Sequence, residues 1–273
     1  MANKTIAFIG TGNMSYAIIG GMVKSGFDPS QIIATNRNQT KLDKVAADFG
    51  VQTTTDNLAA IARADVIVLS VKPQMMGDLC ESIVNADIQY QDKLFVSVAA
   101  GLTVTRLRDM LKHPVKMVRC MPNTPSLFGK GVSGLYADAI NEDEKVFIEQ
   151  VFSSTGIAIW LNEERKINDI IAVTGSSPAY FFLFMESIET KAIELGFTAE
   201  QARQLVEQTA LGAAMMAAGQ HDISIAQLRA NVTSKGGTTN AAIQSYQANG
   251  LDKLTSMAMD ACIARAIEME QEL

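Results

Sequence analysis

The sequence predicts an α/β protein: an N-terminal domain over residues 1–161 built on a mostly parallel sheet, then an all-helical domain over residues 162–273. Three observations predict it. Short β-rich runs alternate with amphipathic helical patterns up to about Leu161, an order that favours parallel strands covered on both faces. The first of these runs breaks directly into a glycine turn and a helical pattern. Beyond Leu161 no strand pattern remains, and long helical patterns bounded by caps take over.

The first predicted strand is Thr5–Gly10, and the turn after it reads Gly10-Thr11-Gly12-Asn13-Met14-Ser15. A helical pattern of Ala17, Ile18, Met22 and Val23 follows at once. This is the Rossmann-type setting in which a dinucleotide pyrophosphate sits on a helix N-terminus. Gly10 permits the tight turn and Gly12 lets backbone approach phosphate without a Cβ between them. Ser15 replaces the third glycine and is still small enough for close helix–strand packing. Further strands are predicted at Ile32–Asn36, Val51–Thr53, Val66–Val71, Phe95–Ala99, Lys116–Arg119 and Ile157–Trp160, with helices such as Lys41–Phe49 and Val104–Leu111 between them. Gly26 and Gly50 stand where helices stop.

In the second half Ser177-Pro178 reads as an N-cap with proline in the first turn, and Gly196 closes that helix. Thr198–Gln201 and Ser224–Gln227 read as capping boxes. The stretch Leu205–Ala218 is apolar nearly all round, which a small helical half has too few partners to bury. It predicts a subunit interface, against the alternative of a central helix in a monomeric bundle.

Composition narrows the function. Of 273 residues 48% are hydrophobic and 19% charged, an ordinary globular balance, and the net charge of −6 gives no reason to expect nucleic acid or an anionic membrane as partner. Apolar runs such as Val66–Val71 are strand-length, too short to span a bilayer. The start, Met1-Ala2-Asn3-Lys4, leads into a core strand and leaves no room for a signal peptide. Three scattered cysteines (Cys80, Cys120, Cys262) fit neither a disulfide framework nor a zinc site, so reduced thiols and a cytoplasmic location are expected. His113 and His221 are the only histidines, which excludes a multi-His metal site and leaves a Ser–His–Asp triad little support.

The end of the second strand bears on which dinucleotide is bound. It ends Ala34-Thr35-Asn36-Arg37-Asn38, without the carboxylate that would accept hydrogen bonds from a ribose 2′-OH. Arg37 is positioned to meet a 2′-phosphate and Asn36 to hydrogen-bond it, which favours NADP(H) and leaves NAD(H) as the alternative. Two more loops fall at predicted carboxyl ends of strands: Ser70-Val71-Lys72-Pro73, with Lys72 near the cofactor, and Ala99-Ala100-Gly101, small enough for a nicotinamide to approach.

The most unusual stretch after the first turn is Val232–Asn240, in which Ser234-Lys235-Gly236-Gly237-Thr238-Thr239 joins two helices. Backbone N–H groups at the second helix start, with hydroxyls around them, suit a carboxylate or phosphate. At this loop the chain resembles the pyrroline-5-carboxylate reductases, whose hallmark is a Ser-Pro-Gly-Gly-Thr-Thr-like segment; Lys235 stands where the family usually has proline. Phe8–Met14, Val71–Pro73, Arg119-Cys120-Met121-Pro122-Asn123-Thr124-Pro125 and Gly175–Tyr180 match in the family's order across both halves.

The resemblance implies NAD(P)H-dependent reduction of 1-pyrroline-5-carboxylate to L-proline, the last step of proline biosynthesis. It implies a Rossmann domain with an all-helical dimerisation domain, and homodimers that in the family often assemble into decamers of five dimers. The cofactor would lie on Gly10, Thr11, Gly12, Asn13, Met14, Ser15, Asn36, Arg37, Asn57, Ser70, Val71, Lys72, Pro73, Ala99, Ala100 and Gly101. The substrate carboxylate would meet Ser234, Gly237 and Thr238, and the Thr239 hydroxyl the ring nitrogen, in a loop that serves the neighbouring subunit's cofactor. Glu164 matches a position near the substrate ring, although Glu163 stands beside it. Two rival readings remain: a β-hydroxy acid dehydrogenase, disfavoured because Lys166, Lys191, Lys235 and Lys253 sit in no matching motif, and a non-catalytic NADP(H)-binding regulatory protein.

Overall fold

Charge-free apolar runs make the central strands. In a computed structural model that describes residues 4–273, β1 (Ile6–Ile9), β2 (Ile32–Thr35), β3 (Gln52–Thr54), β4 (Val66–Leu69), β5 (Leu94–Ser97), β6 (Lys116–Met121), β7 (Gly131–Asp138) and β8 (Gly156–Trp160) form one eight-stranded sheet. The order is β3-β2-β1-β4-β5-β6-β7-β8, and every neighbouring pair is parallel except the antiparallel β6–β7. The reading of Met1–Asn3 as running into the first strand lies outside the described residues.

β1, β2, β4 and β5 are buried along their whole length, as strands covered on both faces must be. The crossover helices α1 (Asn13–Lys24), α2 (Gln39–Phe49), α3 (Asn57–Arg63), α4 (Met76–Val84), α5 (Val104–Leu111) and α6 (Glu142–Ser153) supply that cover. One core layer packs Ile18, Ile19 and Met22 of α1 with Phe147 and Phe152 of α6 against one side of the sheet. The other packs Leu79 and Ile83 of α4 with Leu107 and Leu111 of α5 against the opposite side.

β7 is absent from the sequence expectation, which places nothing between Arg119 and Ile157. Gly131, Ser133 and Gly134 dilute its apolar pattern, and it is held by pairing to strands on both sides rather than by propensity. After β8 come α7 (Lys166–Ile170), a π-helical turn at Ile171–Gly175 and α8 (Ser177–Glu194). Ser177 is therefore a helical residue and not the extended N-cap the sequence suggests: Ser176 before it is also helical, because the π turn delivers the chain to α8 already coiled. Gly196 does end α8, with φ +99°.

The remaining helices are α9 (Ala199–Ala218), α10 (Ile225–Asn231), α11 (Thr238–Ala248) and α12 (Leu251–Glu272); among the described residues no strand follows Trp160. Thr198 forms the full capping box with Gln201, whereas at Ser224 the hydroxyl accepting from Gln227 N–H is the half that forms. The chain divides into two compact units: residues up to Ser176 together with Cys262–Leu273, and Ser177–Ala261. In the second unit α8 packs on α9, and Phe184 meets Tyr246 with ring centroids 5.9 Å apart. Of α9 only Ala202 and Val206 are buried, while Leu205, Leu211, Met215 and Met216 are exposed, as are Phe181 and Phe182 of α8. A central helix in a monomeric bundle is thereby ruled out, and the apolar faces are left for another chain to cover.

The buried Glu144 joins two elements of the sheet unit. Its Oε2 accepts from Asn141 N–H at 3.0 Å while Asn141 Oδ1 accepts from Glu144 N–H at 2.9 Å, and its Oε1 accepts from Lys116 Nζ at 2.7 Å. Burial opposes ionisation, but Lys116 and the Asn141 N–H outweigh it and hold the carboxyl below its ordinary value of 4.5. A depressed folded value stabilises above the unfolded carboxyl range and is lost as pH falls through it. Glu144→Gln is expected to lower stability by about 1 kcal/mol at neutral pH. The difference should vanish at a pH below the folded carboxyl's range, read as urea midpoints of both proteins at the two pH values.

Candidate active site

The strand order reverses between β1 and β4, which opens a crevice at their carboxyl ends. There the chain turns at Gly10, whose φ of +91° a side chain would strain; a Cβ would also sit 3.0 Å from Val71 Cγ1 and 3.1 Å from the Ser70 carbonyl oxygen. The Ser15 and Ser70 hydroxyls lie 2.7 Å apart and both reach the Gly10 carbonyl, at 3.0 and 2.6 Å. Ser15 thus adds to the small size expected of it a tie between α1, the turn and the end of β4. Gly12 is the N-cap of α1, no side chain caps that end, no acid stands in its first turn, and a Cβ on Gly12 would meet nothing within 4 Å. The first N–H groups of α1 therefore face open space, which is the cradle a pyrophosphate needs.

The turn is braced from the second strand. Thr11 N–H and hydroxyl both donate to the Thr35 carbonyl, at 2.8 and 3.0 Å. The Thr35 hydroxyl accepts from Gly10 N–H at 3.2 Å and donates to Asn57 Oδ1 at 2.6 Å. Asn36 Nδ2 donates to the Thr11 carbonyl at 2.7 Å, and its Oδ1 accepts from Asn38 N–H at 2.9 Å. Asn36 and Asn57 hence hold the turn's shape, and Thr11 and Ser15 are buried beneath it.

A cleft of about 440 Å³ opens over these groups. It gathers the expected Gly10, Gly12, Asn36, Arg37, Asn57, Ser70, Val71 and Lys72. Asn13 and Met14 continue into α1, and Pro73 starts the 3-10 turn Pro73–Met75, whose Met75 lines the cleft. Arg37 is exposed and its Nη2 lies 3.8 Å from Met75 Sδ. Lys41 also lines the cleft, and the sequence reading missed it. The signal was there: a second base one helical turn after Arg37, just inside the start of α2. Three cations, Arg37, Lys41 and Lys72, against the single carboxylate of Asp78, make the cleft fit a phosphorylated dinucleotide.

Ala99, Ala100 and Gly101 are not part of that cleft lining. Gly101 is buried with φ +77°, and a Cβ there would sit 2.8 Å from Leu273 Cδ1 and 3.2 Å from Met269 Cβ. Its lack of a side chain therefore also admits the end of α12. Glu164 Oε1 accepts from Arg119 Nη1 at 2.9 Å and from Val104 N–H at 2.7 Å, while Glu163 is exposed and pairs with Arg165. The two neighbouring glutamates thus occupy different environments.

In the second unit, Gly236 has φ +73° and Gly237 N–H donates to the Ser234 carbonyl at 3.0 Å, so the loop keeps its turn with the exposed Lys235 in it. Gly237 is the N-cap of α11 with no side-chain cap, and Ser234, Thr238 and Thr239 are exposed around it. Elsewhere burial pushes the Cys80 thiol up to about 11 and Cys120 well above its ordinary range, which makes both packed thiols rather than nucleophiles.

A switch-point cleft with a phosphate cradle on a doubly covered sheet, joined to a helical unit with bare apolar faces, defines a two-domain dinucleotide-dependent oxidoreductase. Residues 164–269 match the family model described as pyrroline-5-carboxylate reductase dimerisation, and residues 5–101 one described as NADP oxidoreductase, coenzyme F420-dependent. The chain is 46% identical to the pyrroline-5-carboxylate reductase of Vibrio alginolyticus over 99% of both proteins. A solved structure of the Coxiella burnetii pyrroline-5-carboxylate reductase is similar at 40% identity and TM-score 0.89, covering 98% of each chain. One of Plasmodium falciparum pyrroline carboxylate reductase with NADP bound is similar at 26% identity and TM-score 0.85, covering 99% of each. The chain belongs to the pyrroline-5-carboxylate reductase family, as an NAD(P)H-dependent oxidoreductase forming L-proline from 1-pyrroline-5-carboxylate. It carries the family's dimerisation region, and among the described residues no helix is long and apolar enough to cross a membrane.

Proposed function

We propose that this reductase works with NADP(H) in preference to NAD(H), held in the β1–β4 cleft and along the Ala99–Gly101 loop. The observation that carries the reading is the glycine cradle at Gly10 and Gly12 together with three cations and no acid at the end of β2. The pyrophosphate lies on the N-terminus of α1, and Arg37 and Lys41 take the 2′-phosphate. Thr11, Asn13, Met14, Ser15, Asn36, Asn57, Ser70, Val71, Lys72 and Pro73 form or support the remaining cofactor surface. A structure of a Plasmodium falciparum relative with NADP bound supports this preference.

The substrate carboxylate is bound at Ser234, Gly237 and Thr238, where uncapped N–H groups at the α11 start and neutral hydroxyls complement an anion. The Thr239 hydroxyl hydrogen-bonds the ring nitrogen and orients the protonated imine. Glu164 stands near the substrate ring. The bound cofactor supplies the hydride that C5 of the imine accepts; the chain's own task is positioning and electrostatics. A threonine hydroxyl is too weak an acid to be the main proton source, so the substrate arrives protonated.

The working division of the chain falls at 161/162, a cofactor-binding part and a substrate and dimerisation part; the last strand ends at Trp160 and the dimerisation match begins at residue 164. The assembly is a homodimer, with five dimers forming a decamer, and the loop of one subunit serves the cofactor of its neighbour. Exposed apolar faces on α8 and α9 support association. The enzyme acts in the cytoplasm, in keeping with the free, buried thiols of Cys80 and Cys120.

NADPH oxidation with pyrroline-5-carboxylate, compared against a panel of 3-hydroxy acids, tests the reading directly. Arg37→Ala is expected to narrow the preference for NADPH over NADH; unchanged kcat/KM ratios for the two cofactors would remove Arg37 from the phosphate site. Thr239→Ala should lower kcat/KM for the imine by roughly tenfold, about one hydrogen bond of 1.4 kcal/mol. Light scattering should give a mass of at least two chains of 29.4 kDa each. A monomer at micromolar concentration would sink the interface.

A further inference from the structure

We infer that Arg119 is a positioning residue for hydride transfer: through Glu164 and Glu270 it fixes both sides of the Ala99–Gly101 loop. The inference rests on the reading of that loop as part of the cofactor site. Arg119 interrupts the apolar strand β6 and is 2% exposed. Its Nη1 donates to Glu164 Oε1 at 2.9 Å and to Glu270 Oε1 at 3.0 Å, while its Nε and Nη2 are buried with no hydrogen-bond partner. Replacing a whole buried ion cluster by apolar residues of similar volume is often neutral or stabilising, so stability alone does not explain why a guanidinium and two carboxylates meet here. What it uniquely does is hold two carboxylates from distant parts of the chain on one atom.

Both carboxylates lead to the same loop. Glu164 Oε1 also accepts from Val104 N–H at 2.7 Å, which pins the first residue of α5, the far stem of Ala99–Gly101. Glu270 lies near the end of α12, and its Oε2 accepts from Asn168 Nδ2 at 3.1 Å. Its neighbour Met269 and the terminal Leu273 cover Gly101. Arg106 of α5 closes the arrangement, donating from Nε to the Leu273 carbonyl at 2.9 Å. Ala99 packs on the core and its N–H donates to Ser97 Oγ at 3.3 Å, but Ala100 and Gly101 offer at most a methyl group, so the far half of the loop takes its position from these two neighbours. All of these residues belong to the unit that contains the sheet.

The test uses the full-length protein with Arg119→Lys, which keeps the charge but loses the planar fork, and with Glu270→Gln, which weakens one arm. Leu273→Ala, at the chain end, thins the cover over Gly101 without touching the cluster. NADPH affinity is read by fluorescence titration, kcat with pyrroline-5-carboxylate, and the primary isotope effect with NADPH deuterated at the transferring C4 position. The expected result is NADPH affinity within about threefold of wild type, kcat lower by roughly ten- to a hundredfold for Arg119→Lys and less for the other two, and a larger isotope effect in each. An unchanged kcat and isotope effect in folded variants would overturn the inference. So would a loss of rate that tracks the folded fraction at a wild-type isotope effect. If Arg119→Lys does not fold, the other two variants decide. A wild type that binds NADPH yet leaves the imine unreduced would overturn the functional reading and this inference with it, whereas an active wild type with indifferent variants overturns this inference alone.

Discussion

The constraint on which the rest depends is the close approach of two strand ends at Gly10. The order of the sheet reverses there, so β1 and β4 release their chains side by side and in opposite lateral directions. For the first N–H groups of α1 to point at open space, the backbone must turn with a positive φ against the carbonyl of Ser70. A side chain at Gly10 would strain the one and crowd the other. Two hydroxyls, Ser15 and Ser70, share the Gly10 carbonyl and close the gap between helix and strand. The cations around the cleft then have a fixed cradle to complement.

A second centre of order lies at Arg119. Motifs that look unrelated in the chain meet there: the strand that carries Arg119, the Glu164 segment after β8, and the end of α12. Asn123, four residues on, donates from Nδ2 to the Thr174 carbonyl at 3.0 Å, so the same motif also holds the π turn that leads to α8. The segment Arg119–Asn123 is accordingly a clamp on the chain where it leaves and re-enters the sheet unit. Of the three nitrogens of Arg119, Nη1 alone carries both carboxylates, which makes the arrangement sensitive to geometry rather than to charge alone.

The helical unit shows the opposite economy. Few of its residues are buried within the chain, and large apolar side chains such as Phe181, Leu183 and Met215 lie open. Helices of this kind owe little to the core of their own chain, and the dimerisation match over residues 164–269 accounts for that. The Ser234–Thr239 loop gains its shape locally, from a left-handed Gly236 and a backbone hydrogen bond, and so needs no core beneath it.

Much of this was legible in the sequence. Local rules determined it: the glycine turn after β1, the missing acid and present base after β2, the cap at Thr198, and the hydroxyl-rich loop before α11 each act over a few residues, where propensity and hydrogen-bonding capacity suffice. The buried strands were likewise plain from their uninterrupted apolar runs. Tertiary structure alone decided the rest. β7 is a strand because strands on either side pair with it, against its own glycines. Ser177 is helical because a π turn precedes it. Glu164 and Glu163, indistinguishable side by side, are told apart by partners such as a buried arginine forty-five residues before Glu164. Gly101 owes its smallness partly to a helix end that the chain reaches only at its last residues. Such contacts join residues far apart in the chain, and no local pattern records which distant group will fill a space.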